Sequence, residues 1–403
     1  MKKIHLFNPG NETEILLNTS NYTPPKNVRV MSSDLAYLPA WYADSEDLVL
    51  CEDAAVAEYI NQLPAELNSI LPQPKSVKNI REVLQQDSFE AAPWGVSPRM
   101  KSLYQKLKPQ STNGDLVLPQ WDDKYIDLSG RQTAVSCFAK ISESLCDLVL
   151  PAVPRICHSL TEVESVLTES SAKHLVKSPY SSSGRGLLWI KDDKLSDKDA
   201  EWIKGVLDRQ GFIVVEQALD RISDFAMEFE LSDNGTVEYK GLSLFDTDSS
   251  GSYQGNILMS EERIVKHIEE SVGVGALSSI QLVWHDILKD CFAPYYNGNI
   301  GIDMFLYRQS DGAISINPCV EINMRNTMGR LSAELFRKYI YPEATGSYRL
   351  DFWSDSAVLN KFHESNKSEN PLVFNEDGRI VSGYLSLCPV LEHTKFCAYI
   401  LVK

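Results

Sequence analysis

The chain has 403 residues, 43% hydrophobic and 23% charged, the composition of an ordinary globular protein with about two to three domains. Its formal net charge of −16, with no local basic patch, disfavours a nucleic-acid partner, because an acidic surface repels phosphate backbones. The longest apolar stretches fall short of the roughly 18 residues of a membrane span, and the one after Lys2 and Lys3 stops at Phe7, too early for an export signal.

The eight cysteines form no C-x-x-C pair and no Cys/His cluster, which disfavours zinc and a redox dithiol and fits reduced thiols in a cytoplasm. In chain order, Ile4 to Phe7 reads as a strand ending in the turn Asn8-Pro9-Gly10. Val28 to Met31 and Leu48 to Cys51 are two more short apolar runs, and Ala54 to Gln62 and Val77 to Gln85 carry helical spacing. This alternation predicts an α/β unit with a parallel sheet, and the polar, turn-rich stretch 108–128 marks the passage to a second domain. Gln132 to Leu148 and Thr161 to Thr168 are expected helices. Leu175-Val176 and Gly186 to Ile190 are expected strands around a Ser/Gly turn, followed by a helix over Ala200 to Arg209 and a buried strand over Phe212 to Glu216. Beyond that the sequence turns strand-rich: Ala226 to Leu231, Val237 to Phe245, Ile300 to Arg308 and Ile314 to Ile322. Helices are expected near 261–271, 277–291 and 328–340, and the tail from Pro371 reads as two or three strands.

Three segments carry chemistry. In Leu175 to Ile190, a strand delivers Lys177 to the loop Ser181-Ser182-Ser183-Gly184-Arg185-Gly186. Small residues let backbone N–H groups approach a polyphosphate while lysine and arginine supply charge. Alone it reads more readily as an ordinary Ser-Gly hairpin turn, and it is not a Walker A loop. In Ile213 to Leu219 an apolar strand ends in Glu216, the kind of edge that offers backbone groups to an adenine; on local pattern alone, a buried strand with a polar end is the favoured reading. The third segment, Gly301 to Gly329, is the most specific. Its two apolar runs flank Ser310-Asp311-Gly312, a hairpin signal. Glu321 and Asn323, at i and i+2, share a face, and an antiparallel pairing brings Asp303 opposite them. Two carboxylates and an amide oxygen make a hard oxygen cage suited to magnesium on ATP phosphates. Arg325 continues the same spacing and can neutralise a phosphate or a substrate carboxylate. A merely solvated face is disfavoured, because Val320 and Ile322 alternate with these polar residues.

In this order, a lysine strand with a Gly-rich loop, an apolar strand ending in Glu, and then D…E-x-N-x-R, the sequence resembles the ATP-grasp enzymes over about residues 129–330. The tracts Pro93-Trp94-Gly95-Val96-Ser97-Pro98 and Asn326-Thr327-Met328-Gly329 point to a less-studied bacterial subgroup. The resemblance implies an α/β and α+β architecture: an N-terminal α/β domain over 1–128, a central lobe over 129–215, and a C-terminal lobe with a strand-rich tail over 216–403. It implies Lys177 on the ATP phosphates and Ser181 to Gly186 as their cover. Glu216, Gln217, Ala218 and Leu219 fall at the adenine hinge, and Asp224 at the ribose. Asp303, Glu321 and Asn323 match the ligands of Mg2+, or of Mn2+, and Arg325 the arginine near the transferred phosphate. A further basic residue precedes the lysine strand in such enzymes; Arg131 is the better candidate by position and Lys140 the second.

The implied activity is an ATP-dependent carboxylate-amine or carboxylate-thiol ligase. Alternatives are a small-molecule kinase and a nucleotide-binding regulatory module, the last disfavoured by the complete residue set. The expected partners are small-molecule carboxylates and amines, with no nucleic acid and no membrane. Asn8-Pro9-Gly10-Asn11-Glu12 reads equally as a plain turn or as a substrate loop, since ligands of open α/β sheets bind where strands end. Asp246 to Gln254, with Tyr253, is a candidate second loop near the substrate. Gly273-Val274-Gly275 lacks the third glycine of a dinucleotide fingerprint. His5, His285 and His393 read as structural or surface residues, and the absence of G-x-S-x-G disfavours a serine hydrolase.

Overall fold

The structure, a computed structural model, describes residues 1–108, 114–169, 172–180, 186–190, 194–248 and 253–403. The chain divides into two compact units. The first comprises Met1–Trp121, Gln254–Glu261 and Arg325–Lys403, and the second Asp122–Tyr253 and Glu262–Met324.

The first unit opens with five short parallel strands, β1 (Lys3–Leu6), β2 (Leu48–Leu50), β3 (Gln73–Lys75), β4 (Phe89–Pro93) and β5 (Leu116–Val117), ordered β3-β2-β1-β4-β5. Ile4, Leu50, Phe89 and Ala91 on the strands pack with Ile80 and Tyr104 from helices Val77–Val83 and Pro98–Leu107, and with Leu84 at the end of the first of these. Val28 to Met31, an apolar run like those of the strands, lies in a helix, Lys26–Asp34. Four residues are too few to show a period, and Pro25 just ahead of Lys26 favours a helix start. From β1 the chain builds outward to β2 and β3, then crosses to β4 on the other side. The loops after β1 and β4 therefore diverge at the carboxyl ends of the strands, the place where open α/β sheets form a ligand crevice.

The second unit carries two antiparallel layers. The first contains β6 (Arg155–Cys157), β7 (His174–Lys177), β8 (Leu187–Ile190) and β9 (Ile213–Gln217), in the order β6-β9-β7-β8. Helices Leu160–Thr168 and Asp197–Gln210 close its core through Val163, Ile203 and Val206 against Val176, Ile213 and Val215. Ser196 and Asp199 form a reciprocal capping box that fixes the start of the second of these helices. Next come β10 (Asp220–Leu231) and β11 (Val237–Thr247). After them β12 (Tyr253–Leu258) leads the chain back to the first unit. The second unit resumes with β13 (Gly298–Arg308) and β14 (Ile314–Asn323), giving the order β14-β13-β10-β11. The hairpin between β13 and β14 turns at Gly312, whose φ of +90° suits glycine. Helix Arg131–Ser144 lies on β14, where the Cys319 thiol meets the Ala134 carbonyl.

The tail contributes β15 (Gly346–Phe352), β16 (Val373–Phe374), β17 (Ile380–Ser386) and β18 (Phe396–Val402), arranged β12-β15-β18-β17-β16. It is tied to the N-terminal segment. Trp41 Nε1 donates to the Leu387 carbonyl at 2.7 Å, the Tyr59 hydroxyl donates to the Ser386 carbonyl at 2.5 Å, and Asp34 accepts from the amides of Lys395 and Phe396. Sequence pattern groups 216–403 together, whereas these bonds place the residues from Arg325 onward with the N-terminal sheet. No helix is long and apolar enough to cross a membrane among the described residues.

Candidate functional site

In the second unit, register places Asp303 directly opposite Glu321 and Gly301 opposite Asn323. Side chains alternate across a strand, so the two carboxylates and the amide share one face. Asn323 Nδ2 donates to Asp303 Oδ2 at 3.1 Å. Among the described residues no three His, Cys, Asp or Glu side chains gather to hold a metal by themselves. Two carboxylates and one amide are nevertheless a donor set suited to Mg2+, which keeps waters and takes phosphate oxygens in its remaining positions. The amide would turn its Oδ1 inward to join such a set.

Arg131 ties this face to the lysine strand. It stands at the start of helix Arg131–Ser144 and is 8% exposed. Its Nη1 donates to the Ser178 carbonyl at 2.6 Å, one residue past β7, and its Nη2 to Glu321 Oε1 at 3.1 Å. Lys140, about two and a half turns along the same helix, is exposed and donates to the Cys291 sulfur at 3.1 Å. Of the two basic candidates, only Arg131 is drawn into the cluster. Lys177 is buried, and its Nζ lies 2.5 Å from Glu216 Oε1. Strands β7 and β9 are paired, which sets these two side chains together.

The remaining hinge and ribose candidates occupy the edge of the same unit. Gln217 is exposed, and the Ala218 amide donates to the Lys173 carbonyl at 2.8 Å. Leu219 is half-buried beside it. Asp224 is buried, with Oδ1 bonded to Arg221 and Oδ2 accepting from the Thr247 hydroxyl at 2.7 Å, so both oxygens are already engaged. Arg221 in turn stacks 4.6 Å over the Phe305 ring. Ser181, Ser182, Ser183, Gly184 and Arg185 lie outside the described residues. Gly186 closes their loop with a φ of +83° and accepts from the Ser178 amide at 2.9 Å. Residues 249–252 of the second loop candidate also lie outside; Tyr253 rests against Phe245, with ring centroids 6.2 Å apart.

Arg325 is placed differently from what strand spacing implies. β14 ends at Asn323, so its alternation no longer governs Arg325, which belongs to the first unit. Its Nε donates to Glu12 Oε1 at 2.6 Å, and its Nη1 to the Asn326 carbonyl at 3.1 Å. The Asn326 amide donates to the Trp94 carbonyl at 2.8 Å. Around this pair the loops after β1 and β4 are laced together. The Asn8 side chain donates to the Gly95 carbonyl at 2.9 Å and accepts from the Gly95 amide at 3.0 Å. Glu14, 1% exposed, accepts from Ser97 Oγ at 2.6 Å and from Arg99 Nη1 at 2.8 Å. Asn11 packs so tightly on Gly95 that a Cβ there would come within 2.2 Å of Asn11 Nδ2. Sequence reading singled out the Asn8–Glu12 and Pro93–Pro98 tracts without joining them, and passed over Glu14 and Arg99. The one available signal was the strand-end rule applied to β4, whose short, proline-ended sequence hides it.

The other sequence features have plain placements. His5 is buried with Nε2 3.0 Å from Asp47 Oδ2, while His285 is half-buried and His393 exposed. Gly273 and Gly275 take positive φ on either side of the exposed Val274, in a turn between two helices. All eight cysteines are free thiols.

No protein-family model and no curated protein sequence matches the chain. Among solved structures, it is similar to the biotin carboxylase–βγ-ATP complex from Campylobacter jejuni, at 9% identity and a TM-score of 0.52, covering 100% of this chain and 87% of that one. It is also similar to N5-carboxyaminoimidazole synthetase from Staphylococcus aureus complexed with ADP, at 12% identity and a TM-score of 0.49, covering 100% and 93%. With a parallel N-terminal sheet, two antiparallel layers behind it in sequence and a full-length match to biotin carboxylase, the chain has the ATP-grasp fold that its motif order resembles.

Proposed function

We propose that the protein is an ATP- and magnesium-dependent ligase that activates a substrate carboxylate for attack by an amine or a thiol. The observation that carries this reading is the joined cluster of the second unit: Asp303 opposite Glu321, Asn323 bonded to Asp303, and Arg131 linking Glu321 to the end of the Lys177 strand. A protein of the same fold, biotin carboxylase, forms a complex with βγ-ATP.

In this reading Asp303, Glu321 and Asn323 hold Mg2+, which when bound neutralises charge on the ATP phosphates. Lys177 and Arg131 add fixed positive charge on the phosphates, exchanging their present carboxylate partners for phosphate oxygens. Glu216, Gln217, Ala218 and Leu219 edge the adenine and Asp224 the ribose, with Lys140 outside the site. Arg325 follows Asn323 by two residues, which leaves at most about 7 Å of chain between them. Arg325 is the arginine that the motif order assigns to the transferred phosphate and the carboxylate that receives it. The carboxylate oxygen attacks the γ-phosphorus and ADP leaves. The amine or thiol then adds to the acyl carbon and expels phosphate. Positioning and electrostatic stabilisation supply most of what such a transfer needs, so no side-chain nucleophile is required. A reducing cytoplasm is the setting that fits eight free thiols.

A screen of carboxylates with and without amines, reading ADP and phosphate separately, tests this. A ligase releases both products only when both substrates are present. ADP with a stable phosphorylated product and no free phosphate would make the protein a kinase instead. Mg·ATP binding without turnover across the whole panel would leave a regulatory module.

A further inference from the structure

We propose that the substrate held by the crevice of the N-terminal sheet is an α-amino acid, with Glu12 taking its ammonium group and Arg325 its carboxylate. This names the substrate class of the ligase proposed above and rests on that reading.

The argument starts from where the pair stands. Glu12 lies one turn past β1 and Arg325 next to Asn326, whose amide is bonded to Trp94 after β4. Both therefore sit at the carboxyl ends of β1 and β4, the switch point of the sheet, where ligands of such sheets bind. The walls are already fixed from within. Asn8 clamps both polar backbone groups of Gly95, and Glu14 is satisfied by Ser97 and Arg99. Asn8, Glu14 and Ser97 are buried, whereas Glu12 and Arg325 are partly open, at 24% and 22% side-chain exposure. An ion pair that keeps some contact with solvent opens for a ligand more readily than an enclosed one.

Charge decides which ligand can open it. A simple carboxylate drawn to Arg325 must also sit beside the Glu12 carboxylate, and like charges so placed repel. A simple amine drawn to Glu12 meets the Arg325 guanidinium in the same way. A molecule carrying ammonium and carboxylate on one carbon offers Glu12 and Arg325 each a group of opposite sign, so that neither faces a ligand group of its own sign. A second observation points to a donor-bearing ligand. Asn11, 1% exposed and adjacent to Glu12, holds its Nδ2 against Gly95 and has an Oδ1 acceptor with no protein partner. Buried acceptors are nearly always satisfied, and an ammonium group, with three donors, can serve Glu12 and this oxygen together.

The test is thermal denaturation of the full chain with saturating Mg·ATP and each proteinogenic amino acid in turn, at about 10 mM, which saturates any ligand of millimolar affinity. The best amino acid is then titrated against its deaminated acid and its decarboxylated amine, on the wild type, Glu12→Gln and Glu12→Asp. The account expects at least one amino acid to raise the melting temperature further than Mg·ATP alone. Both analogues and Glu12→Gln should weaken binding roughly tenfold or more, with Glu12→Asp recovering part of the loss. In Glu12→Gln the shift caused by Mg·ATP itself should persist, which shows that the variant is folded. A normal Mg·ATP shift with no response to any amino acid overturns the amino-acid inference and leaves the ligase reading standing. So does a deaminated acid that binds as well as the amino acid, or a Glu12→Gln variant with unchanged affinity. A wild-type chain indifferent to Mg·ATP overturns the ligase reading, and this inference with it.

Discussion

The two charged clusters reach similar density by different routes. In the second unit, Asp303, Glu321 and Asn323 come from one hairpin, and strand alternation alone puts them on a common face. In the first unit, Asn8 meets Gly95 across 87 positions, Glu14 meets Ser97 across 83, and Glu12 meets Arg325 across 313. The hairpin cluster is local, and its geometry is written in a period of two. The crevice cluster exists only once β1 and β4 lie side by side and the tail has returned. Burial differs as well. Lys177 and Glu216 of the second unit are largely enclosed, whereas Glu12 and Arg325 stay partly open to solvent, as Glu321 does beside Arg131. Enclosed pairs bind a charged ligand by exchanging partners in a fixed frame. Open pairs can select a ligand by its charge pattern.

Breaking an enclosed pair should have the largest effect. Lys177→Met leaves the Glu216 charge with little solvent, and removing one partner of a buried ion pair typically costs about 3–5 kcal/mol. Urea denaturation should show that loss, and the double variant Lys177→Met with Glu216→Gln should recover most of it. A double variant as unstable as the single one would mean that the pair does not carry the energy assigned to it.

Glu321→Gln probes the metal face. It keeps the shape but removes a charge, and should lower magnesium-dependent turnover by about two orders of magnitude, the effect of losing one electrostatic stabiliser of a transition state. From sequence alone, two facing carboxylates repel and this change should raise metal-free stability. Arg131 already compensates that charge, so no gain in stability is expected. Full activity with an identified substrate would remove Glu321 from the site.

The crevice is tested by Gly95→Ala. The added Cβ would fall 2.2 Å from Asn11 Nδ2 and 2.8 Å from its Cβ, so the Asn11 side chain must move. Overpacking of this kind costs about 1–3 kcal/mol. Binding at the crevice should weaken while the Mg·ATP response of the second unit is kept. A fully stable Gly95→Ala variant with intact crevice binding would show that the two loops are not held together as described.

The smallest effect is one of pH. Burial alone would raise the Asp47 carboxyl, but hydrogen bonds from His5 and from the amides of Lys3 and Asp44 outweigh it and hold the group below the usual carboxylate range. A depressed folded-state value means that its stabilisation is complete above the unfolded value of about 3.9 and is lost as pH falls through the folded one. The acid limb of the stability curve should therefore be shallower in Asp47→Asn than in the wild type. Identical limbs would remove Asp47 from the acid response.

How much was legible follows the same division. The hairpin from Gly301 to Asn323, the lysine strand, and the helices over Arg131–Ser144 and Met328–Tyr339 could be read because each carries its period over enough residues. The parallel sheet was read only in outline. Its strands are two to five residues long, so β3, β4 and β5 were not found and the Val28–Met31 helix resembled a strand. The crevice could not be read, because no local pattern records that residue 12 will meet residue 325. The break at Asn323 hid Arg325 as well, since its spacing imitates a strand that has already ended.

The central claim, that Asp303, Glu321 and Asn323 hold the metal of a bound nucleotide, is tested most directly by calorimetric titration of ATP into the wild type and Asp303→Asn, with magnesium and with chelator. The account predicts binding by the wild type that weakens at least about tenfold when magnesium is removed, and a variant whose affinity no longer depends on magnesium. Magnesium-dependent binding that is equal in the two proteins, or no binding by the wild type at all, would contradict it.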